Sequence, residues 1–136
     1  MSGFLARFRR AETRVMENKG TATRKAVIDL FQRVVNESPF DTGRFKGNWQ
    51  ISSEQPKEGT LDREDPNGSQ ANAEIAEHMT SIENPLEMDV WLVNNLPYAE
   101  PLEYGYSDQA PEGMVRVNVA KFPRIVAKYA KQEGGL

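Results

Sequence analysis

The chain has 136 residues, enough for one domain that buries about two-thirds of its unfolded surface. An apolar fraction of 38% and a mean hydropathy of −0.65 predict one small core with polar segments around it. A net charge of −3 argues against binding nucleic acid by phosphate neutralisation, the lack of cysteine removes disulfides, zinc–thiolate sites and thiol catalysis, and no run reaches the ~18 apolar residues of a membrane span.

The N-terminus mixes Arg7, Arg9, Arg10 and Arg14 with Phe4, Leu5, Phe8, Val15 and Met16. It has no continuous apolar region followed by a small-residue cleavage site, so the protein is expected to be made and folded in a cytoplasm. Residues 2–17 read as a weak helical stripe, either a frayed helix or an arm that packs on a neighbour. The arginines read as a solvated helix face or, alternatively, as the mark of a DNA-binding accessory protein. Asn18-Lys19-Gly20 either separates this stripe from the next or merely loosens one long helix. Over residues 23–37, Val27, Ile28, Leu30, Phe31, Val34 and Val35 fall within an arc of about 160°, which predicts a core-facing helix. Pro39 ends it, because a residue before proline disfavours the α region.

Asp41-Thr42-Gly43 reads as a turn. Residues 45–53 then alternate, with Phe45, Gly47, Trp49 and Ile51 on one side and Lys46, Asn48, Gln50 and Ser52 on the other. This predicts a half-buried strand with a polar outer face. Residues 54–69 are polar and broken by Pro56, Gly59, Pro66 and Gly68, which predicts a long mobile loop or hairpin. Ser69 is placed to cap a short middle helix running to about residue 83, with Ala71, Ile75, Met79 and Ile82 on one face and Pro85 beyond its end. Residues 88–94 form a second strand, apolar on both faces and therefore expected to be central. Residues 97–111 are dense in aromatics and turn formers. Val115, Val117 and Val119 fit a strand, yet Val115, Val119, Phe122, Val126 and Tyr129 fit a helix face. Length favours the helix, with a kink or break at Pro123.

Candidate chemistry is sparse. Asp41-Thr42-Gly43 is the tripeptide of aspartic proteases, but it occurs once, so such an enzyme would have to be a dimer. Here it follows a helix end rather than an apolar strand. His78 is the only histidine and has no nucleophile motif beside it. There is no calcium-loop spacing and no phosphate loop. No catalytic, cofactor-binding or metal residue is expected. Tyr98, Tyr104 and Tyr106 stand out between prolines and a glycine, suited either to covering the core or to meeting a neighbouring subunit.

Three segments carry a resemblance. Ser38-Pro39-Phe40-Asp41-Thr42-Gly43-Arg44-Phe45-Lys46-Gly47-Asn48-Trp49 resembles the hallmark of the phage tail-completion (neck, or head–tail joining) protein family. Asn94-Asn95-Leu96-Pro97-Tyr98-Ala99, followed by Leu102-Glu103-Tyr104-Gly105, resembles its second motif, and Gln109-Ala110-Pro111-Glu112-Gly113-Met114-Val115 its third. The resemblance implies a single α+β domain over residues 1–136, a small antiparallel sheet packed by a long N-terminal and a C-terminal helix. Residues 1–19 are then a helical arm and the 54–69 loop matches no motif.

It also implies a non-enzymatic virion protein that assembles with itself in a ring, a hexamer, between head-completion proteins and the tail tube or its terminator. DNA would pass through without sequence-specific binding. The fold and interface residues it points to are Pro39, Asp41, Thr42, Gly43, Trp49, Asn94, Asn95, Pro97, Tyr98, Leu102, Glu103, Tyr104, Gly105, Pro111 and Gly113. Pro101 and Pro123 depart from the helix-compatible residues expected at their positions. The sequence shows no apolar patch of the size an obligate ring carries, so a monomer in solution is expected, forming the ring on docking. Alternatives are a tail terminator, a head-completion adaptor or, from another class, the dimeric aspartic-type protease.

Overall fold

A computed structural model describes residues 13–40, 42–105 and 107–134, with side chains from residue 18 onward. Helix α1 spans Thr13–Asn36, followed by a single turn α2 (Arg44–Gly47), strand β1 (Trp49–Ser53) and helix α3 (Ser69–Ser81). A 3-10 turn (Pro85–Glu87) leads to β2 (Val90–Asn94), and three helices follow: α4 (Ala99–Glu103), α5 (Val115–Val119) and α6 (Phe122–Gln132). This is the expected small α+β fold. No helix among the described residues is long and apolar enough to cross a membrane.

Helix α1 is continuous through Asn18-Lys19-Gly20, and Gly20 is buried against Pro85, where an added Cβ would lie 3.9 Å from the ring. Leu30, Val34 and Val35 of its stripe are buried, and Val27, Ile28 and Phe31 pack against the same core. Helix α3 buries Ala71, Ile75 and Met79, as its spacing predicts. Its N-terminus is not capped by Ser69. The Asp65 carboxylate accepts from the backbone N–H of Ala71 (2.9 Å) and Gln70 (3.2 Å) and from the Ser69 hydroxyl (3.4 Å). The cap thus comes from the loop, four residues before the helix. Arg24 of α1 donates to the carbonyls of Met79 and Ile82 at the other end of α3.

The two strands pair antiparallel, with Trp49 opposite Asn94 and Ile51 opposite Leu92. Three strand expectations are corrected. Phe45–Gly47 is a helical turn, because Gly43 at φ 86° turns the chain and its carbonyl accepts from both Gly47 and Asp65. The second strand is not central: among the described residues the sheet has two strands, and Trp91 on the second is 43% exposed. The polar side expected to face solvent is buried, with Asn48, just ahead of β1, at 0%, Gln50 at 9% and Ser52 at 7% exposure.

Residues 54–68 cover that polar face. Asn48 exchanges hydrogen bonds with the backbone of Leu61, Gln50 donates to the Gly59 carbonyl, and Ser52 donates to the Gln55 carbonyl. Arg63 ties the same loop to the Gly47 carbonyl and to Glu74 of α3. The loop expected to be mobile is in this way stitched across the sheet by side chains that satisfy its backbone, which buried peptide groups require.

The C-terminal segment is helical, and it breaks ahead of Pro123, which lies in the first turn of α6 and has no N–H to offer the Val119 carbonyl. The break rotates the buried face. Asn118, Ile125 and Ala130 are buried, whereas Val119 is 52% exposed. Helix α6 is clasped to α1 through Asp29, which accepts from Tyr129 (2.7 Å) and Arg33 (2.5 Å), with Lys128 at 3.8 Å.

Burial works to raise the Asp29 pKa, but hydrogen bonds from Arg33 and Tyr129 and the nearby positive charges outweigh it, leaving it below its ordinary 3.8. A carboxyl whose folded pKa lies below its unfolded value stabilises the fold above the unfolded value and loses that contribution as pH falls through the folded one. Asp29→Asn should therefore flatten the acid limb of melting temperature against pH below about 4, measured by thermal denaturation. Ser38→Ala should cost about 1–2 kcal/mol in urea unfolding, because it strips the hydroxyl acceptor from the buried Trp49 indole N–H.

Candidate interaction surface

The three motif segments fold into one another. Trp49 anchors the first: its indole N–H donates to the Ser38 hydroxyl at 2.8 Å, and that hydroxyl donates to the Val34 carbonyl at 2.7 Å. The Phe45 ring meets Trp49 edge-on at 5.8 Å between centroids and Tyr98 at 5.9 Å. Asn94 clamps the first segment to the second, donating to the Phe45 carbonyl while accepting from the Leu96 N–H. Asn95 faces the other way and holds the loop through the carbonyls of Lys57 and Gly59.

The second and third segments interlock reciprocally. Gly105, at φ 92°, would place a Cβ 2.4 Å from the Pro111 carbonyl oxygen, and Gly113, at φ 83°, would place one 2.3 Å from the Glu103 carbonyl oxygen. Only a residue with no side chain fits either place. The Glu103 carboxylate then accepts from the N–H groups of Met114 (3.0 Å), Val115 (2.9 Å) and Arg116 (2.9 Å) and from the Arg116 guanidinium (2.9 Å). It serves as an N-terminal cap for α5 supplied from another helix. Burial opposes its charge, yet these backbone donors prevail and hold the Glu103 carboxyl below the ordinary carboxylate range. Gln109 completes the cluster, donating to the Phe40 carbonyl and accepting from the Phe40 N–H, both at 2.7 Å.

Three aromatic rings of the cluster reach solvent, beside exposed polar residues such as Thr42, Arg44, Glu100 and Glu112. Phe40 is 45% exposed, Tyr98 42% and Tyr104 60%, the last carrying the Arg116 guanidinium 4.5 Å above its ring. A groove of about 310 Å³ runs beside them, lined by Pro39, Phe40, Phe45, Tyr98, Leu102 and Gln109. Pro97 is exposed before α4, and Pro101 sits in the middle of that five-residue helix, within the first turn, where its missing N–H costs nothing. Thr42 accepts from the Arg44 N–H at 3.3 Å in a local turn. Asp41 and Tyr106 lie outside the described residues. Phe40 and Gln109 belong to this site although their residue types gave no separate signal, since a glutamine that imitates a strand partner is visible only in three dimensions.

A second polar cluster lies across α3. The Ser53 hydroxyl is 2.7 Å from His78 Nε2, at the edge of a cavity of about 480 Å³ lined also by Lys57, Glu74 and Glu77. Sequence reasoning placed no serine beside His78. Among the described residues no carboxylate orients the other ring nitrogen, so the pair lacks the third member of a nucleophilic triad. Among the same residues no group of three or more His, Cys, Asp or Glu could hold a metal ion.

The geometry defines a class: a small α+β domain whose motif residues build a rigid scaffold and leave an aromatic surface. No family model, curated protein or solved structure matches the chain. Glu103→Gln should destabilise the fold by about 1–2 kcal/mol, as loss of a charged cap does. Gly113→Ala should cost more, since strain and a backbone clash add; both are read from denaturant unfolding at neutral pH.

Proposed function

We propose that this chain is a structural virion protein of a tailed bacteriophage, one that completes the tail and joins it to the DNA-filled head as part of a neck ring. One observation carries the reading. The three segments that resemble the tail-completion family pack into a single cluster, and the cluster leaves the rings of Phe40, Tyr98 and Tyr104 exposed. Aromatic side chains around an apolar groove are what protein partners use as anchors. Asn94, Glu103 and Gln109 are spent on the chain's own backbone, which suits a non-enzymatic part. The partners are further copies of the chain in a ring, head-completion proteins, and the tail tube or its terminator. DNA passes the ring without sequence-specific contacts. The protein is made in the bacterial cytoplasm and acts in the virion. A tail terminator or a head-completion adaptor would use the same surface, and binding to the tube end or to the portal side separates them.

Phage carrying an early stop codon in this gene should produce full heads and finished tails that stay separate by electron microscopy, and purified protein should restore infectivity. Intact infectious particles would overturn the reading. Tyr104→Ala should change stability by less than about 0.5 kcal/mol, as exposed sites do, yet lose most of that restoring activity.

A further inference from the structure

The charges of this chain are segregated. Residues 54–89 hold ten carboxylates against two cations, Lys57 and Arg63, and so carry −8, while the rest of the chain carries +5. Nine of the ten carboxylate residues are exposed; the buried one is Asp65, the cap of α3. Arg63 is paired with Glu74, and Lys57 lines the cavity beside Glu74 and Glu77. Adding Lys19 and Arg24 of α1, which flank the contact of Gly20 with Pro85, still leaves ten carboxylates against four cations.

Within this acidic side, Glu87, Asp89 and Trp91 alternate with Met88, Val90 and Leu92. The second set packs on the core and the first is exposed. The Glu54 N–H donates to the Asp89 carbonyl, so two acidic residues sit opposite each other just beyond the β1–β2 ladder, where like charges are unfavourable. Trp91 ends the row, 43% exposed, with its indole N–H on the Glu54 carbonyl.

The opposite charge gathers on α6. Lys121, Arg124, Lys128 and Lys131 follow at spacings of three, four and three, within an arc of about 80° at 100° per residue. This arc points away from the buried Ile125 and Ala130, and no acid falls between Glu112 and Glu133. Of the nearby carboxylates, Glu133 is paired with Lys25, and Asp29 is committed to Arg33 and Tyr129, with Lys128 at 3.8 Å. Like charges three and four residues apart on a helix are destabilising, so the stripe is a cost to the free chain. Among the described residues no ion pair joins it to the acidic side. Both belong to one packed domain, with α3 and α6 each lying along α1, so a second molecule is needed to bring them together. Their lengths agree: Lys121 to Lys131 spans about 15 Å of helix, and Glu87 to Trp91 about 13 Å of extended chain.

We infer that the α6 stripe of one copy docks along the Glu87–Trp91 row of the next, its cations meeting carboxylates and the face of Trp91. The contact joins two different patches, so it is heterologous and closes into a ring where the rotation allows. It deepens the reading above and rests on it for the use of the ring, but not for the contact itself. Exposed charge pairs are individually weak and screened by salt, which fits a chain that assembles when copies are held side by side. The aromatic surface at Phe40 and Tyr98 is then left for the head and tail proteins.

A carbodiimide joins a carboxylate to an amine in direct contact. Unlabelled and isotope-labelled full-length chains, mixed at high concentration in about 50 mM salt, should give mixed dimers. In these, Lys121, Lys128 or Lys131 of one chain is joined to Glu54, Glu87 or Asp89 of the other. The yield should fall several-fold at about 500 mM salt. It should fall likewise in a Lys121→Glu/Arg124→Glu/Lys131→Glu chain and in a Glu87→Lys/Asp89→Lys chain, each checked for folding by circular dichroism. Mixing the two variants should restore it, because each offers the charge the other lacks. Arg7→Gln/Arg9→Gln/Arg10→Gln should leave it unchanged.

Links confined to single chains, a yield indifferent to the reversals, no recovery on mixing, or loss with the Arg7, Arg9 and Arg10 set instead would each overturn the inference. Duplex DNA bound through the stripe with no dimers formed would overturn it too. The linked peptides of the unmutated chain decide the point even where a variant fails to fold. Cross-linking needs no phage, so its failure leaves the joining test standing, and failure of the joining test leaves the contact standing.

Discussion

The hydrogen bond from the Trp49 indole to the Ser38 hydroxyl joins the end of the longest helix to the start of the sheet, and the rest of the fold depends on it. Ser38 reaches back to the last turn of α1 through the Val34 carbonyl, so the hydroxyl is donor and acceptor at once in a buried place. A two-stranded antiparallel sheet is marginal in water by itself. It gains stability only by packing its face on α1 and α3, and Trp49 fixes where that face sits. Phe45 packs on Trp49, Tyr98 on Phe45, and the exposed aromatic edge is thereby placed by a chain of ring contacts that begins in the core.

The other face of the sheet poses a different problem, and polar side chains solve it. Asn48, Gln50 and Ser52 point away from the apolar core yet are buried, because a loop without regular structure lies over them. Such a loop carries peptide groups that must find partners once water is removed. Asn48, Gln50, Ser52 and Asn95 supply those partners, and Asp65 at the end of the same loop caps α3. The same device recurs at Asn94, Glu103 and Gln109, each binding the backbone of a distant segment. Side chain–backbone bonds here do the work that further strands do in larger sheets.

This explains what the sequence could and could not convey. Apolar spacing identifies α1 and α3 and their buried positions, since a helix face repeats locally whatever packs on it. Proline chemistry locates the end of α1 and the break before α6. The alternation through Phe45 and Gly47 misleads, because a single helical turn also buries residues two apart when tertiary donors hold its ends, here the Asp65 N–H on the Gly43 carbonyl and Arg63 on the Gly47 carbonyl. Polar residues on β1 read as solvent-facing because nothing local announces that a distant loop covers them. The C-terminal face is misplaced for a local reason: a periodic count carried across Pro123 assumes one helix, and two helices meet there at a break. Of the site, Glu103, Gly105 and Gly113 stood out only through the motifs of the resemblance, and their reciprocal fit belongs to the folded chain.

The spending of polar groups also bears on function. An enzyme leaves some titratable groups uncommitted and poised, usually several converging on one cavity. Here the titratable residue of the motif cluster with a shifted pKa, Glu103, is committed to three backbone donors, and Ser53 with His78 stands apart, with no orienting carboxylate among the described residues. The proposed joining role calls for a frame held by its own hydrogen bonds and a surface whose affinity comes from apolar contact. Tyr98 and Tyr104 meet that need, since a tyrosine offers a large face for the loss of few rotamers. Rigid backing makes a weak groove selective, because the rings that line it are already in place when a partner segment arrives.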